Sequence, residues 1–256
     1  MVPINKIIFI GCALLITNQS YATPKAIEFS ADAVISVPQK PIKQTKLFVS
    51  DKAVRRETMV NGAPTVEIIY PGEGRAVFLN DPLKLYKERS FIKQDEATSD
   101  NNPCTQIQNS VCEKIGTENI DGINTEKWQI ISNDHGRKLR TLHWIDVKRK
   151  LAIREFFPDG SVAELKMIKK EKINSRDTEK WERTLRRPNG EDYKSYQWYD
   201  TALKIAIREE LPGGYLRELK NIKISKQPAD LFNTPSDYKK IGNQPVMYQD
   251  FSNRRQ

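Results

Sequence analysis

The chain has 256 residues, of which 38% are hydrophobic and 29% are charged, and its mean hydropathy is −0.64. So small an apolar fraction excludes a thick sheet that is buried on both faces, and it favours antiparallel strands with one face in water. The formal net charge is +9, but the basic residues are spread along the chain instead of forming one tract, so nucleic acid is not a predicted partner.

The first 22 residues have the pattern of a secretory signal peptide. Lys6 precedes an apolar run over residues 7–16, which is shorter than the roughly 20 residues that span a bilayer. Small residues at the −3 and −1 positions predict cleavage after Ala22, with Thr23 as the new N-terminus. A second interpretation, a lipobox that ends at Cys12, leaves only about five apolar residues before the cysteine, and we favour the first. The predicted location is periplasmic or secreted, and no later segment is a predicted membrane span.

Strands are predicted throughout the N-terminal half of the mature chain. Residues 27–37 alternate apolar and polar side chains, which is the period of a strand with one apolar face. Tight turns are predicted at residues 50–52, after the short strand over 64–70, and in a hairpin at residues 80–82. The result is a meander of antiparallel strands.

A polar loop and one short helix are predicted next. Residues 93–103 are polar and rich in turn formers. Apolar residues then recur every four positions over 104–115, which predicts a short helix that docks on the sheet. Cys104 and Cys112 lie near the ends of this helix, and an even cysteine count in an exported chain predicts that they form a disulfide.

The C-terminal half contains an internal repeat. Thr125–Trp128 recurs as Thr178–Trp181, at an offset of 53 residues. Three further matches recur at an offset of 54: Trp144-Ile145-Asp146 with Trp198-Tyr199-Asp200, Ile153-Arg154-Glu155 with Ile207-Arg208-Glu209, and Glu164-Leu165-Lys166 with Glu218-Leu219-Lys220. The matches predict tandem units over about 116–170 and 171–224, each of four strands. Turn residues Asp159-Gly160 and Gly213-Gly214 each close a hairpin.

Several of these segments together resemble a known family. FSADAVIS, DPLKLYKERS, Cys-x7-Cys, GTENIDGINTEKW, IRE-x-x-PDG and LFNTPSDYKKI occur in that order. They are similar to an uncharacterised group of exported bacterial proteins related to the lipoprotein-carrier (LolA-like) superfamily. The resemblance implies an unclosed antiparallel half-barrel, with one or a few short helices over its concave face and a cavity that shields or senses acyl chains. The usual arrangement has the repeated unit once, whereas this chain has it twice.

The predicted fold class is therefore mainly β, a large curved antiparallel sheet. One LolA-like domain is predicted over residues 23–242, with a short terminal strand or clasp near its end and a flexible tail over 243–256. The chemistry of known active sites is not apparent. The chain has only His135 and His143, no nucleotide-binding or nucleophile-elbow motif and no CxxC pair, so we predict no enzyme activity, cofactor or metal site. His143 is predicted to point outward.

Large apolar side chains of the repeat are the predicted binding residues. They either fill a core or line a cavity for a lipid-like ligand: Trp128, Leu142, Trp144, Trp181, Tyr196 and Trp198. Arg154 and Arg208 are predicted either as solvated arginines or as contacts to an anion or partner. The leading hypothesis is a periplasmic carrier or binding protein for a lipid or the acyl chain of a lipoprotein. The alternative is a scaffold or sensor that docks another envelope protein through its basic surface, without a lipid.

Overall fold

The computed structural model describes residues 27–60, 62–91, 103, 110–134 and 136–242. Within these ranges the chain forms one open, curved sheet of 16 strands, so the predicted mainly β class is confirmed. The strands are β1 (Phe29–Ser36), β2 (Lys43–Val49), β3 (Val54–Val60), β4 (Ala63–Tyr70), β5 (Arg75–Asn80), β6 (Leu85–Ser90), β7 (Ser110–Ile120), β8 (Ile123–Asp134), β9 (Arg137–Asp146), β10 (Ala152–Phe156), β11 (Val162–Ile173), β12 (Arg176–Arg186), β13 (Asp192–Asp200), β14 (Ile205–Leu211), β15 (Tyr215–Ile224) and β16 (Lys239–Lys240). Short 3-10 helices span Pro71–Glu73, Asp81–Leu83 and Ala229–Phe232.

The chain begins and nearly ends in the middle of the sheet, at the neighbouring strands β1 and β15. Its strand order is β16-β6-β5-β4-β3-β2-β1-β15-β14-β13-β12-β11-β10-β9-β8-β7, and every pair is antiparallel except β16 with β6. The chain runs from β1 outward to β6, which only the short β16 separates from the edge, continues from the opposite edge at β7, and returns to the middle at β15. Strand β15 then pairs with β1, with Ala33 opposite Leu219 and Ile35 opposite Arg217.

The pairing register divides the side chains between two faces, because residues directly opposite each other in antiparallel strands lie on the same face. We call the front face the one that carries Ala33, Leu219 and Trp181. The back face is the one that carries Trp144 and Trp198, each of which lies one position along its strand from a front-face residue.

A front-face core joins the two halves of the chain at the β1–β15 pair. Phe29, Leu47 and Val54 come from the first three strands, and they cluster with Ile207 and Leu219 from β14 and β15. All five are buried. The two runs of strands therefore share one hydrophobic core.

The C-terminal segment covers the back face of the N-terminal strands. Phe232 packs in a cluster with Ile68 and Val77, and the Arg55 guanidinium donates a hydrogen bond of 2.8 Å to the Leu231 carbonyl oxygen. The predicted terminal strand is present as β16, and the residues after 242 lie outside the described part of the chain.

The predicted helix over 104–115 is wrong from Ser110 onwards. Ser110–Ile120 is strand β7, which pairs with β8 along its length, while 104–109 are not described. The register shifts between Lys114 and Gly116, so a bulge at Ile115 interrupts the alternation of a regular strand. The four-residue apolar spacing from Val111 to Ile115 is compatible with a strand as well as with a helix, since both place such residues on one face. Among the helices that the structure describes, none is long and apolar enough to cross a membrane.

The repeated Trp-x-Asp aspartates form equivalent turns. Buried Asp146 accepts a hydrogen bond from the Lys148 backbone N–H at 2.7 Å, and buried Asp200 accepts from the backbone N–H groups of Ala202 and Leu203 at 2.9 Å. Each carboxylate thus fixes the turn between the second and third strands of its unit. The motif is explained by this local role without any catalysis.

We expect Leu219→Ala to destabilise both halves of the sheet together. Leu219 is 1% exposed at the junction, and truncation of such a side chain costs about 3 kcal/mol. The four tryptophans all lie after residue 127, so their fluorescence reports the C-terminal half while circular dichroism reports the whole sheet. Urea unfolding followed by both signals should shift to lower urea by the same amount.

Leu216→Ala is the matched control, because Leu216 lies on the same strand but is only half-buried on the back face. It should cost about 1 kcal/mol or less. A Leu219→Ala variant in which the two signals separate into different transitions would contradict a shared core.

Candidate functional site

The front face of the second unit changes character along each strand. Trp181, Tyr199, Ile207 and Leu219 form a fully buried floor at one end of β12 to β15. At the other end, next to the hairpin turns, the front-face residues are half-buried and largely apolar: Leu185, Tyr193, Leu211 and Tyr215. We call these four residues the rim. The Tyr193 hydroxyl donates to Glu191, and guanidinium groups lie over both tyrosine rings, at 4.6 Å for Tyr193 and 5.3 Å for Tyr215. The rim is a largely apolar surface in contact with water.

Between the floor and the rim, a row of side chains with polar groups crosses the four strands, and it starts at Trp181 of the floor. Trp181 lies directly opposite Gln197, Gln197 opposite Glu209, and Glu209 opposite Arg217, so the four residues follow one another across β12 to β15. Arg217 Nη1 lies 3.5 Å from Glu209 Oε2, and both side chains are largely buried. Burial raises the pKa of Glu209, and the positive charge of Arg217 acts in the opposite direction.

The first unit contains an equivalent row. Trp128 lies directly opposite His143, and His143 opposite Glu155. The guanidinium comes from the next unit, because Arg183 Nη2 reaches Glu155 Oε2 at 2.8 Å across the small residue Ala163. Each row therefore has a tryptophan, a histidine or glutamine, a glutamate and an arginine.

His143 is the one titratable difference between the two rows. Its Nδ1 lies 3.7 Å from Glu155 Oε1, and its side chain is largely buried on the front face. Burial is the main reason that the pKa of His143 lies below its ordinary value of 6.5, while Glu155 raises it and Arg183 lowers it. The sequence prediction of an outward histidine is wrong, because the front face of β9 is a buried one.

Both front-face tryptophans have an indole N–H without a partner. Trp128 and Trp181 are 6% and 1% exposed, and the Nε1 atom of each is buried with no hydrogen-bond acceptor among the residues that the structure describes. The Glu179 carboxylate lies near the Trp181 indole but outside hydrogen-bond geometry. That carboxylate accepts two hydrogen bonds from the Arg149 guanidinium, at 2.8 and 3.0 Å.

The structure divides the six predicted lining residues between the two faces. Trp128 and Trp181 lie on the front face, whereas Leu142, Trp144, Tyr196 and Trp198 lie on the back face. The back-face indoles are satisfied, because Trp144 donates to Glu118 at 2.6 Å and Trp198 donates to Glu171 at 2.7 Å. The structure thus brings together only one tryptophan of each unit with a polar row.

The two predicted anion contacts, Arg154 and Arg208, lie on the back face among carboxylates. Arg154 pairs with Glu164 at 3.1 Å, and Arg208 pairs with Glu210 at 2.6 Å while its guanidinium carbon lies 5.1 Å from the Trp198 ring centroid. These contacts satisfy both guanidinium groups within the sheet. Arg183 and Arg217 lie on the front face beside the two glutamates, and the sequence interpretation did not single them out.

Other predicted positions are only partly described. Cys112 lies in β7, but Cys104 is outside the described residues, so the disulfide stays a prediction. The cleavage site at Ala22 and Thr23 and the alternative anchor at Cys12 are outside them as well. In the described ranges, no group of three or more His, Cys, Asp and Glu side chains is placed to hold a metal ion.

Comparisons with known proteins find solved structures of similar architecture. No protein-family model matches the chain, and no curated protein matches it either. A DUF1329 family protein from Desulfovibrio piger is 14% identical, with 81% of this chain and 90% of that chain covered at a TM-score of 0.35. A LolA superfamily protein from Nitrosomonas europaea is 9% identical, with 84% and 93% covered at a TM-score of 0.38. A putative outer membrane lipoprotein-sorting protein domain from Vibrio parahaemolyticus is 9% identical, with 84% and 92% covered at a TM-score of 0.37.

These neighbours are of the kind that the sequence resemblance predicted, and they cover most of the chain. At such identities the likeness concerns the fold alone.

We expect His143→Gln to remove part of the acid sensitivity of the protein. Because burial lowers the pKa of His143 in the folded state, the unfolded chain binds this proton more readily. The associated stability is present above pH about 6.5 and is lost as the pH falls below it. Glutamine is the residue that the second row has at the equivalent position, Gln197.

Urea unfolding at about pH 7.5 and about pH 5 tests this expectation. The wild-type protein should lose more stability between the two values than His143→Gln does. Equal losses would show that His143 is not held neutral by its surroundings.

Proposed function

We propose that the protein binds an amphipathic, acyl-bearing ligand on its front face. The apolar part of the ligand packs on the rim formed by Leu185, Tyr193, Leu211 and Tyr215, and its polar part faces the adjacent polar row. One observation carries the proposal: four half-buried apolar side chains lie together on neighbouring strands, directly beside buried polar groups. Surfaces of this composition suit ligands with one apolar and one polar part.

The driving force is the removal of apolar area from water, which contributes roughly 25 cal/mol for each Å² buried before the cost of ordering the ligand. The rim supplies this area without unfolding the floor beneath it, since Trp181 and Ile207 stay buried.

The proposed setting is the bacterial envelope, reached through the predicted leader. One of the similar solved structures is described as a lipoprotein-sorting protein domain, which fits a ligand with acyl chains. We propose a carrier or binding role for such a ligand, a lipid or an acylated protein. Of the six predicted lining residues, Trp128 and Trp181 keep this role as part of the front face.

The alternative, a scaffold that docks envelope proteins through basic residues, has less support. Arg154 and Arg208 are paired with carboxylates, and so are the back-face basic residues Lys194 and Arg186. Guanidinium and ammonium groups held in this way offer little free charge to an acidic partner.

Leu211→Lys tests the proposed surface directly. A lysine in the rim places a charge where the acyl chain packs, so the affinity for a fluorescent acyl probe should fall about tenfold or more. Titration of the probe against both proteins, followed by fluorescence, measures the change. Leu211 is half-buried beside a hairpin turn, so the fold should tolerate the substitution.

Leu216→Lys is the matched control, because Leu216 is also half-buried in the same hairpin but lies on the back face. It should bind the probe as the wild-type protein does. If the wild-type protein binds no acyl probe, or if both variants lose affinity equally, the proposal fails.

A further inference from the structure

The front face has two polar rows of similar composition, one in each four-strand unit. We infer that each four-strand unit provides its own subsite, in which the indole N–H of Trp128 or Trp181 donates a hydrogen bond to an acyl ester or amide oxygen of the ligand. This inference rests on the proposed function and specifies the chemical group that the site recognises and the number of acyl chains held. Its basis is a pair of buried donors with no acceptor.

Buried donors without a partner are rare in folded proteins, because desolvation of an N–H group is unfavourable unless an acceptor replaces water. Here two occur at equivalent positions, Trp128 and Trp181, 53 residues apart. The same two units satisfy their other tryptophans, since Trp144 donates to Glu118 and Trp198 donates to Glu171. The fold therefore pairs one indole of each unit and leaves the other open.

The nearest protein acceptor of the second unit is already engaged. Arg149 holds the Glu179 carboxylate with two hydrogen bonds, and Asp146 also contacts this guanidinium at 3.1 Å. Arg149 holds this carboxylate where it does not meet hydrogen-bond geometry with the Trp181 indole, so the indole N–H is open to an acceptor from a ligand.

Both indoles have a flexible side chain as a cross-strand neighbour. Lys114 lies directly opposite Trp128 on β7, and Met167 lies directly opposite Trp181 on β11. Both are unbranched, and their exposures are 44% for the Lys114 side chain and 39% for Met167. Lys114 forms an ion pair with Glu126 at the surface, of a kind that contributes little to stability. Rotamer changes of these two neighbours are the movements by which the proposed ligand would reach the indoles.

The side chains of the two rows favour an uncharged ligand oxygen as the acceptor of the indole hydrogen bond. An indole N–H only donates, so the ligand atom must accept. Each row pairs one glutamate with one arginine, Glu155 with Arg183 and Glu209 with Arg217, and has no unpaired cation for a free carboxylate. A neutral carbonyl oxygen of an ester or amide fits this balance better than the carboxylate of a free fatty acid.

The spacing of the indoles favours two separate acyl chains. Trp128 is on β8 and Trp181 is on β12, four strands apart in the sheet. At about 4.8 Å for each strand, the two subsites are roughly 19 Å apart along the sheet. One carbonyl group cannot reach both donors, so the predicted stoichiometry is two.

The test replaces single indole N–H groups by sulfur with little change in shape, by incorporation of 3-benzothienylalanine at residue 128 or at residue 181. The probe is monopalmitoylglycerol, with palmitate as the free-acid comparison. Native mass spectrometry counts bound molecules, and calorimetry measures their affinity. The wild-type protein should bind two ester molecules and should bind palmitate more weakly.

Each substitution should weaken one of the two sites about tenfold and leave the thermal midpoint of the ligand-free protein unchanged or higher. Substitution at residue 144 is the control, since that indole is bonded to Glu118: it should lower the thermal midpoint and leave binding unchanged. Trp128→Phe and Trp181→Phe repeat the test with natural residues.

Three results would overturn the inference. Wild-type protein that binds one ester molecule removes the second subsite, and unchanged affinity in the variants at 128 and 181 removes the hydrogen bond. Equal or tighter binding of palmitate removes the preference for a neutral carbonyl. In all three cases the proposed function survives, whereas it fails if neither probe binds the wild-type protein.

Discussion

The pairing of β1 with β15 is the constraint on which the rest of the structure depends. The two strands come from opposite ends of the described chain, and they join a run of six strands to a run of nine. Phe29, Leu47 and Leu219 share a core across this junction. Because an open sheet has no other closure, loss of this junction would leave two smaller sheets with exposed edges. The cost of bringing such distant strands together must be met by this shared core.

A single sheet must also bury its large side chains without a second layer over every part of it. The back face does this with charged neighbours: the Trp198 ring lies beneath Lys180 at 4.6 Å and Arg208 at 5.1 Å, and its N–H is bonded to Glu171. The Trp144 ring has Lys127 at 4.6 Å in the same position. Aliphatic stems and cation–π contacts therefore cover the aromatic rings. Cations also lie over front-face rings, with Arg149 5.4 Å from the Trp181 centroid and Arg187 4.6 Å from that of Tyr193. The two faces differ in that the front-face indoles have no acceptor among the described residues, and for this reason we place the ligand there.

Much of the strand pattern could be predicted from the sequence, because alternation and turn residues are local signals. Asp159-Gly160 and Gly213-Gly214 are turns, with Gly160, Gly213 and Gly214 in left-handed backbone. Strand β7 was mistaken for a helix because an apolar spacing of four residues fits a strand as well as a helix. The role of Arg183 could not be predicted from the alternation within its own strand. Its partner Glu155 lies two strands away, across β11, and that pairing depends on the register between strands. Glu209, by contrast, lies two positions from buried Ile207 and therefore on the same face of the strand. Its burial could have been predicted from the sequence.

We place the acyl chain on the front face of the sheet and not on the back face. Crystals of the protein with a palmitoyl ester brominated at the end of its chain would locate the bromine by its anomalous scattering. We expect bromine peaks on the front face, near Leu185 or Leu211. Peaks beside Trp144 and Trp198 on the back face, or ester-soaked crystals with the rim unoccupied, would contradict this placement.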